Sequence, residues 1–123
     1  MKRTFKPENY LRFVKESVPL SEVEGYLRLM ENAGKLLYQR NNTGAIRDSR
    51  NRPVQFGKAG SPDFYVWLPG GKFLQIEVKR PVGGRLSPAQ REWQEAMERF
   101  GFAYHVVTSG QEAQRILTSS QLA

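Results

Sequence analysis

The chain has 123 residues, enough for one domain around one core, and 39 % of them are hydrophobic. It holds no cysteine and one histidine, His105, which excludes disulfide scaffolds, thiol nucleophiles, Cys/His zinc centres and any Ser-His-Asp triad that does not use His105. Nineteen Lys and Arg against twelve Asp and Glu give a net charge of +7. No apolar run approaches the ~20 residues of a membrane span, so an intracellular protein facing a polyanion is expected, with no membrane partner.

Taken in chain order, residues 1–19 read as an N-terminal arm or short helix closed by Pro19, and a core follows over about 20–110. Ser21 has the chemistry of an N-cap and Glu24 that of its capping-box partner, so a helix is expected to begin there. Its apolar stripe is Val23, Tyr26, Leu27 and Met30, and Gly34 ends it. Residues 35–40 read as a strand. Residues 41–60, with Asn-Asn, three glycines and a proline, read as a long loop or loose hairpin. Residues 63–68 and 72–79 are strands joined through Pro69-Gly70-Gly71. Pro81 ends the second of them and Gly83-Gly84 forms a turn.

The following helix is marked by Ser87 as cap, Pro88 at the first helical position, Gln90 as capping-box partner and Gly101 as stop. Trp93, Ala96, Met97 and Phe100 fall on one face, expected to be buried. Residues 102–107 form a further strand, and Ser109-Gly110-Gln111-Glu112 opens a last helix over about 110–119 that carries Ala113, Ile116 and Leu117. The order α-β-(loop)-β-β-α-β-α predicts an α/β fold, a mixed sheet flanked by helices in one domain over 1–123.

Charge and strand alternation locate the chemistry. Between Lys35 and Gly60 lie Lys35, Arg40, Arg47, Arg50, Arg52 and Lys58 against Asp48 alone, which is five of the seven net positive charges. Glu77 and Lys79 share a strand face. If Pro69-Gly70-Gly71 is a three-residue loop, Leu68 pairs with Lys72 and Asp63 comes opposite Glu77; one more loop residue would slip that register. Two facing carboxylates repel, but a divalent cation reverses the sign. Mg²⁺ or Mn²⁺ prefers hard oxygen ligands, and the Val78 carbonyl is a further candidate. Lys79 could orient water or offset phosphate charge. Glu-x-Lys alone reads as a solvated strand face with a salt bridge, and it gains weight as a site only from Asp63 fourteen residues earlier and from what flanks both.

Gly57-Lys58-Ala59-Gly60-Ser61-Pro62-Asp63, Ile76-Glu77-Val78-Lys79 and Leu86-Ser87-Pro88-Ala89-Gln90 together resemble the VRR-NUC family of PD-(D/E)xK nucleases. Arg40-Asn41-Asn42-Thr43-Gly44 and Tyr104-His105-Val106-Val107 extend the resemblance over about residues 20–110. It implies a restriction-endonuclease-like α-β-β-β-α-β core in a stand-alone, phage-type member, working in a bacterial or phage-infected cytoplasm. It implies Asp63 and Glu77 as ligands of Mg²⁺ or Mn²⁺, Lys79 as the catalytic lysine, and a supporting Gln90. The family also uses an acid early in the first helix. Glu22 fits, lying nearer the apolar stripe and following Ser21 in the family's Ser-Glu arrangement, with Glu24 as the alternative. The implied activity is metal-dependent endonucleolytic cutting of DNA, structure-specific on junctions or flaps, by a homodimer if cuts are paired.

Each supporting residue also has a plainer reading. Gln90 completes the cap of Ser87, and Glu22 and Glu24 stabilise a helix start. Arg40, Asn41 and the arginines at 47, 50 and 52 with Lys58 are candidate nucleic-acid contacts, while Asn-Asn-Thr-Gly also suits a turn. Tyr65 and Trp67 could stack on bases, but large aromatics at a hairpin end are more often core or dimer interface. A basic binding module with a degenerate site, or an adaptor, are the rival functions.

Overall fold

The first helix, α1, runs Ser17–Asn32 in a computed structural model that describes residues 10–122. The part of the expected arm over residues 1–9 lies outside the described residues. The helix starts four residues before Ser21, which therefore lies inside it and caps nothing. Glu16 is the N-cap and makes no side-chain cap bond. Proline is the reason for the difference: Pro19 sits in the first turn, where its missing N–H would have had no partner, so it opens the helix rather than closing the arm. Gly34 ends α1 as expected, at φ +73°, with its N–H donating to Glu31 O and that of Lys35 to Met30 O, a Schellman closure.

The main sheet has the order β1-β4-β5-β6, with β1 Leu37–Arg40, β4 Phe64–Leu68, β5 Lys72–Val78 and β6 Ala103–Val107. Its first two pairings are antiparallel and β5·β6 is parallel, so the sheet is mixed. The parallel pair is joined through α2, Pro88–Arg99, the crossover that such a pair requires. The last helix, α3, spans Gly110–Leu122. The expected loop over 41–60 contains a closed hairpin, β2 Gly44–Arg47 with β3 Pro53–Phe56, which forms a sheet of its own.

Alternation divides the main sheet into two chemically different faces. Phe64, Val66, Leu74, Ile76 and Val78 point to one side and pack with Val23 and Leu27 of α1 and Ala113 and Leu117 of α3; this is the hydrophobic core. The opposite face carries Tyr65, Trp67, Phe73, Gln75 and Glu77, and α2 lies on part of it. Because this face is partly polar, α2 has no fully buried residue. Trp93, Ala96 and Met97 are only half-buried, and Phe100, the C-cap, is 72 % exposed. The expectation of one buried helix face is corrected accordingly. Tyr65 stacks on Phe73 with ring centroids 5.9 Å apart, and Trp67 tilts against Phe73 at 5.8 Å. His105 is half-buried on the edge strand β6, and burial lowers the pKa of its ring.

Candidate metal centre

The turn between β4 and β5 sets the centre's geometry. Leu68 pairs with Lys72 and Phe64 with Ile76, so the next rung brings Asp63 opposite Glu77. Asp63 is held at that rung by two bonds. Its carbonyl accepts from Asn41 N–H at 2.8 Å, and its Oδ2 accepts from Val78 N–H at 2.7 Å. Asn41 reinforces the approach, donating through Nδ2 to Ser61 Oγ (2.7 Å) and Pro62 O (2.9 Å). Along a strand a residue's N–H and C=O point the same way, so the Val78 carbonyl also faces the Asp63 side.

Glu77 is 3 % exposed. Its Oε1 accepts from Gln90 Nε2 at 2.9 Å and lies 3.6 Å from Lys79 Nζ. Lys79 is fixed by its own N–H donating to Val107 O at 2.9 Å. Gln90 serves two ends of the molecule. Its Oε1 accepts from Ser87 N–H (2.8 Å) and its N–H donates to Ser87 Oγ (3.1 Å), so the capping box forms while Nε2 reaches Glu77. Gly60 permits this approach: at φ +85°, a Cβ there would fall 2.2 Å from Ala89 O in the first turn of α2. Only glycine lets the loop and the helix start come so close.

Burial, and then the facing Asp63, push the Glu77 carboxyl up to about 8, against the opposing pull of Lys79. Asp63 is also raised, burial outweighing the Val78 N–H, Lys79 and Arg40. A buried and a half-buried carboxylate that resist ionising together suit a cation, which would replace the proton. Among the described residues no N–H or hydroxyl reaches the buried Glu77 Oε2, which leaves that oxygen to a proton shared with Asp63 or to a cation in its place. The residues present therefore fit a small divalent ion through Asp63, Glu77 and the Val78 carbonyl. Among the described residues no group of three or more Asp, Glu or His side chains gathers for a metal, so an ion held here would have two carboxylates and would complete its shell with water, as Mg²⁺ commonly does.

The helix acids go to different places. Glu22 accepts from Gly110 N–H at 3.3 Å, at the junction of α1 and α3, and Glu24 pairs with Arg40 Nη1 at 2.9 Å. The acid that approaches the centre is Glu16, whose Oε1 is 3.9 Å from Lys79 Nζ. Its place before α1 follows from the helix starting early, and nothing in its local sequence marks it. Also missed were Gln75 and Trp93, bonded Nε1 to Oε1 at 2.7 Å beneath α2. Gln75 was findable, because alternation puts it on the Glu77 face. Tyr104, paired with Gln75 across β5·β6, has a buried hydroxyl without a partner. Of the basic candidates, Arg47 donates to Asn51 O, Arg52 pairs with Asp48 at 2.8 Å, and Arg50 N–H is held by Asp48 Oδ1. Lys58 lies over the Trp93 ring, 5.6 Å from its centroid.

The family model described as the VRR-NUC domain matches residues 9–111. A solved structure titled VRR_NUC domain is similar in fold, with a TM-score of 0.59 and 22 % sequence identity over 82 % of this chain and 96 % of that one. No curated protein matches the chain.

Proposed function

The chain belongs to the VRR-NUC domain family, a nuclease-type family, and from that premise we propose that it is a divalent-metal-dependent endodeoxyribonuclease acting on branched DNA. The observation that carries this reading is the half-buried Asp63 facing the buried Glu77, whose Oε2 receives no N–H or hydroxyl, flanked by Lys79 and Gln90. Mg²⁺ or Mn²⁺ bound there supplies positive charge that polarises a phosphodiester and makes water more acidic.

The chain's own residues do the rest. Asp63, pinned by Val78 N–H, and Glu77, pinned by Gln90, present oxygens at a fixed separation before substrate arrives. Lys79 brings an ammonium to the same place, where it offsets charge on the phosphate and orients an attacking water. Glu16 Oε1 lies 3.9 Å from the same ammonium, while Glu22, at Gly110 N–H, and Glu24, on Arg40, are the other candidates for the helix acid. Arg40, Asn41, Arg47, Arg50, Arg52 and Lys58 form the surface expected to meet the DNA backbone, so binding should fall steeply with salt. Paired cuts at a junction need two copies, and a two-fold homodimer is part of the proposal.

The rival reading, a basic binding module with a degenerate site, takes its support from the absence of a third gathered acid among the described residues. One experiment separates the two. A labelled panel of single strand, duplex, flap and four-way junction is incubated with Mg²⁺ or Mn²⁺ beside Asp63→Ala. Metal-dependent cutting of a branched substrate, reduced at least ~100-fold in the variant, supports the nuclease. No cutting, or equal cutting by the variant, overturns it in favour of the module.

A further inference from the structure

Among the described residues the β2–β3 hairpin pairs with no other strand, and β2 is exposed along its whole length. A two-stranded ribbon is marginal by itself, and this one is braced at its tip, where Asp48 accepts from the N–H groups of Arg50 and Arg52 and pairs with the Arg52 guanidinium. Between the hairpin and the first turn of α2 lies an open cleft of about 420 Å³. Ala45 and Gln55 form its hairpin wall, Gly60 and Ser61 its floor, and Ala89 and Gln90 its helix wall. None of the residues that line it is acidic. The floor is backbone packed on backbone: a Cβ on Gly57 would fall 2.7 Å from Asn42 O, and one on Gly60 would strike Ala89 O.

Two features connect this cleft to the centre. Gln90 lines it and also donates to Glu77, so one side chain separates the cleft from the carboxylate pair. The hairpin register pairs Ala45 with Gln55 and Arg47 with Pro53 on the cleft-side face, while Ile46 and Val54 pair on the other. Arg47 therefore shares a hairpin face with Ala45, its guanidinium donating to Asn51 O, and the Arg52 guanidinium is braced on Asp48 at the tip.

We propose that this cleft receives one unpaired nucleotide of the strand being cut, the neighbour of the phosphate at Asp63–Glu77. The inference rests on reading that pair as a phosphodiester-cleaving centre. The volume is at the small end of ligand sites and suits a single base with its sugar. A base still paired and stacked in a duplex cannot enter without being extruded, which costs unstacking energy that a flap, gap or junction strand does not spend. Gln55 and Thr43 offer neutral donors and acceptors to the base edge and sugar, and the hairpin arginines offer charge to the flanking phosphates. Preference for branched DNA then arises in the cleft, while the metal site remains indifferent to structure.

The test measures binding in EDTA, so it needs neither metal nor cleavage. Fluorescence anisotropy compares a labelled single strand, a duplex and a duplex with a single-stranded flap at one low salt concentration. Wild type should bind the strand and the flap at least ~10-fold more tightly than the duplex. Ala45→Phe, which fills the cleft from the hairpin side, should bring all three to the duplex level. Gln55→Trp should do the same from the facing strand, should Ala45→Phe fail to fold. Ile46→Phe, on the outer face, should keep the preference. Equal binding of all three substrates by wild type, or an unchanged preference in folded Ala45→Phe and Gln55→Trp, overturns the inference. A wild type that keeps the preference but cuts nothing with metal overturns the nuclease reading instead.

Discussion

If the centre takes a divalent ion as proposed, Glu77→Gln should abolish the exchange between proton and metal there. In the folded protein the Glu77 carboxyl is pushed up to about 8 from an ordinary value of 4.5. Between those values the folded state holds a proton that the unfolded chain has released. This stabilising contribution is complete below about pH 4.5 and is lost as pH rises through about 8. At ~1.4 kcal/mol per pH unit the window has a ceiling of about 5 kcal/mol, and water at the rim of the centre lowers the expected figure to about 2 kcal/mol.

For a domain of this size that is a fall in Tm of roughly 8 °C between about pH 5 and pH 9 in EDTA. Gln keeps the shape of the protonated acid and cannot ionise, so the variant's Tm should be nearly flat over the range. Millimolar Mg²⁺ at pH 8 should restore the lost stability in wild type and leave Glu77→Gln unmoved, since metal then takes the place of the proton. Thermal melts of both proteins, with and without Mg²⁺, make the comparison. An equal pH-dependent fall in the variant, or an equal gain from Mg²⁺, would refute the assignment of the exchange to Glu77.

Two further outcomes test the supports around the centre. Gly60→Ala should cost about 3 kcal/mol in urea unfolding, because strain at positive φ adds to the clash with Ala89 O, whereas Gly34→Ala, also at positive φ but in open space, should cost about 1 kcal/mol. Equal costs would mean that the close approach at Gly60 is not what the fold requires. Ser87→Ala and Gln90→Ala should each lose about 1 kcal/mol of stability through the capping box. Only Gln90→Ala should also reduce the Mg²⁺-induced rise in Tm, and a matching reduction in Ser87→Ala would assign the effect to the helix start instead.

Much of this molecule was legible because its signals are local. Pro69-Gly70-Gly71 fixes a loop length, the loop length fixes the register, and the register brings Asp63 to Glu77 with no further information. Ser87-Pro88 with Gln90 marks a helix start by chemistry that works the same way in isolation. The misplaced features depend on contacts distant in sequence. Whether Pro19 closes an arm or opens a helix is decided by its burial against the core, and Ser21 looked like a cap only while that was unknown. The destinations of Glu16, Glu22 and Glu24 differ although all three lie within nine residues of one another. They diverge because Lys79, Gly110 and Arg40 arrive from separate parts of the chain. The face of α2 was misjudged for a related reason. Apolar spacing shows which side of a helix turns inward, but not that the sheet beneath it carries Gln75 and Glu77.

The double engagement of Gln90 limits which amino acids position 90 can accept. Glu would satisfy Ser87 but add another carboxylate to the Asp63–Glu77 pair, Asn is a methylene short of both partners, and an apolar residue meets neither. A mutational scan selecting only for soluble protein and another selecting only for Mg²⁺ response should therefore both narrow sharply at this position, for reasons that are chemically unrelated. Tolerance profiles from the two scans would coincide at Gln90 while separating at Ser87, which only the helix needs, and at Lys79, which only the centre needs.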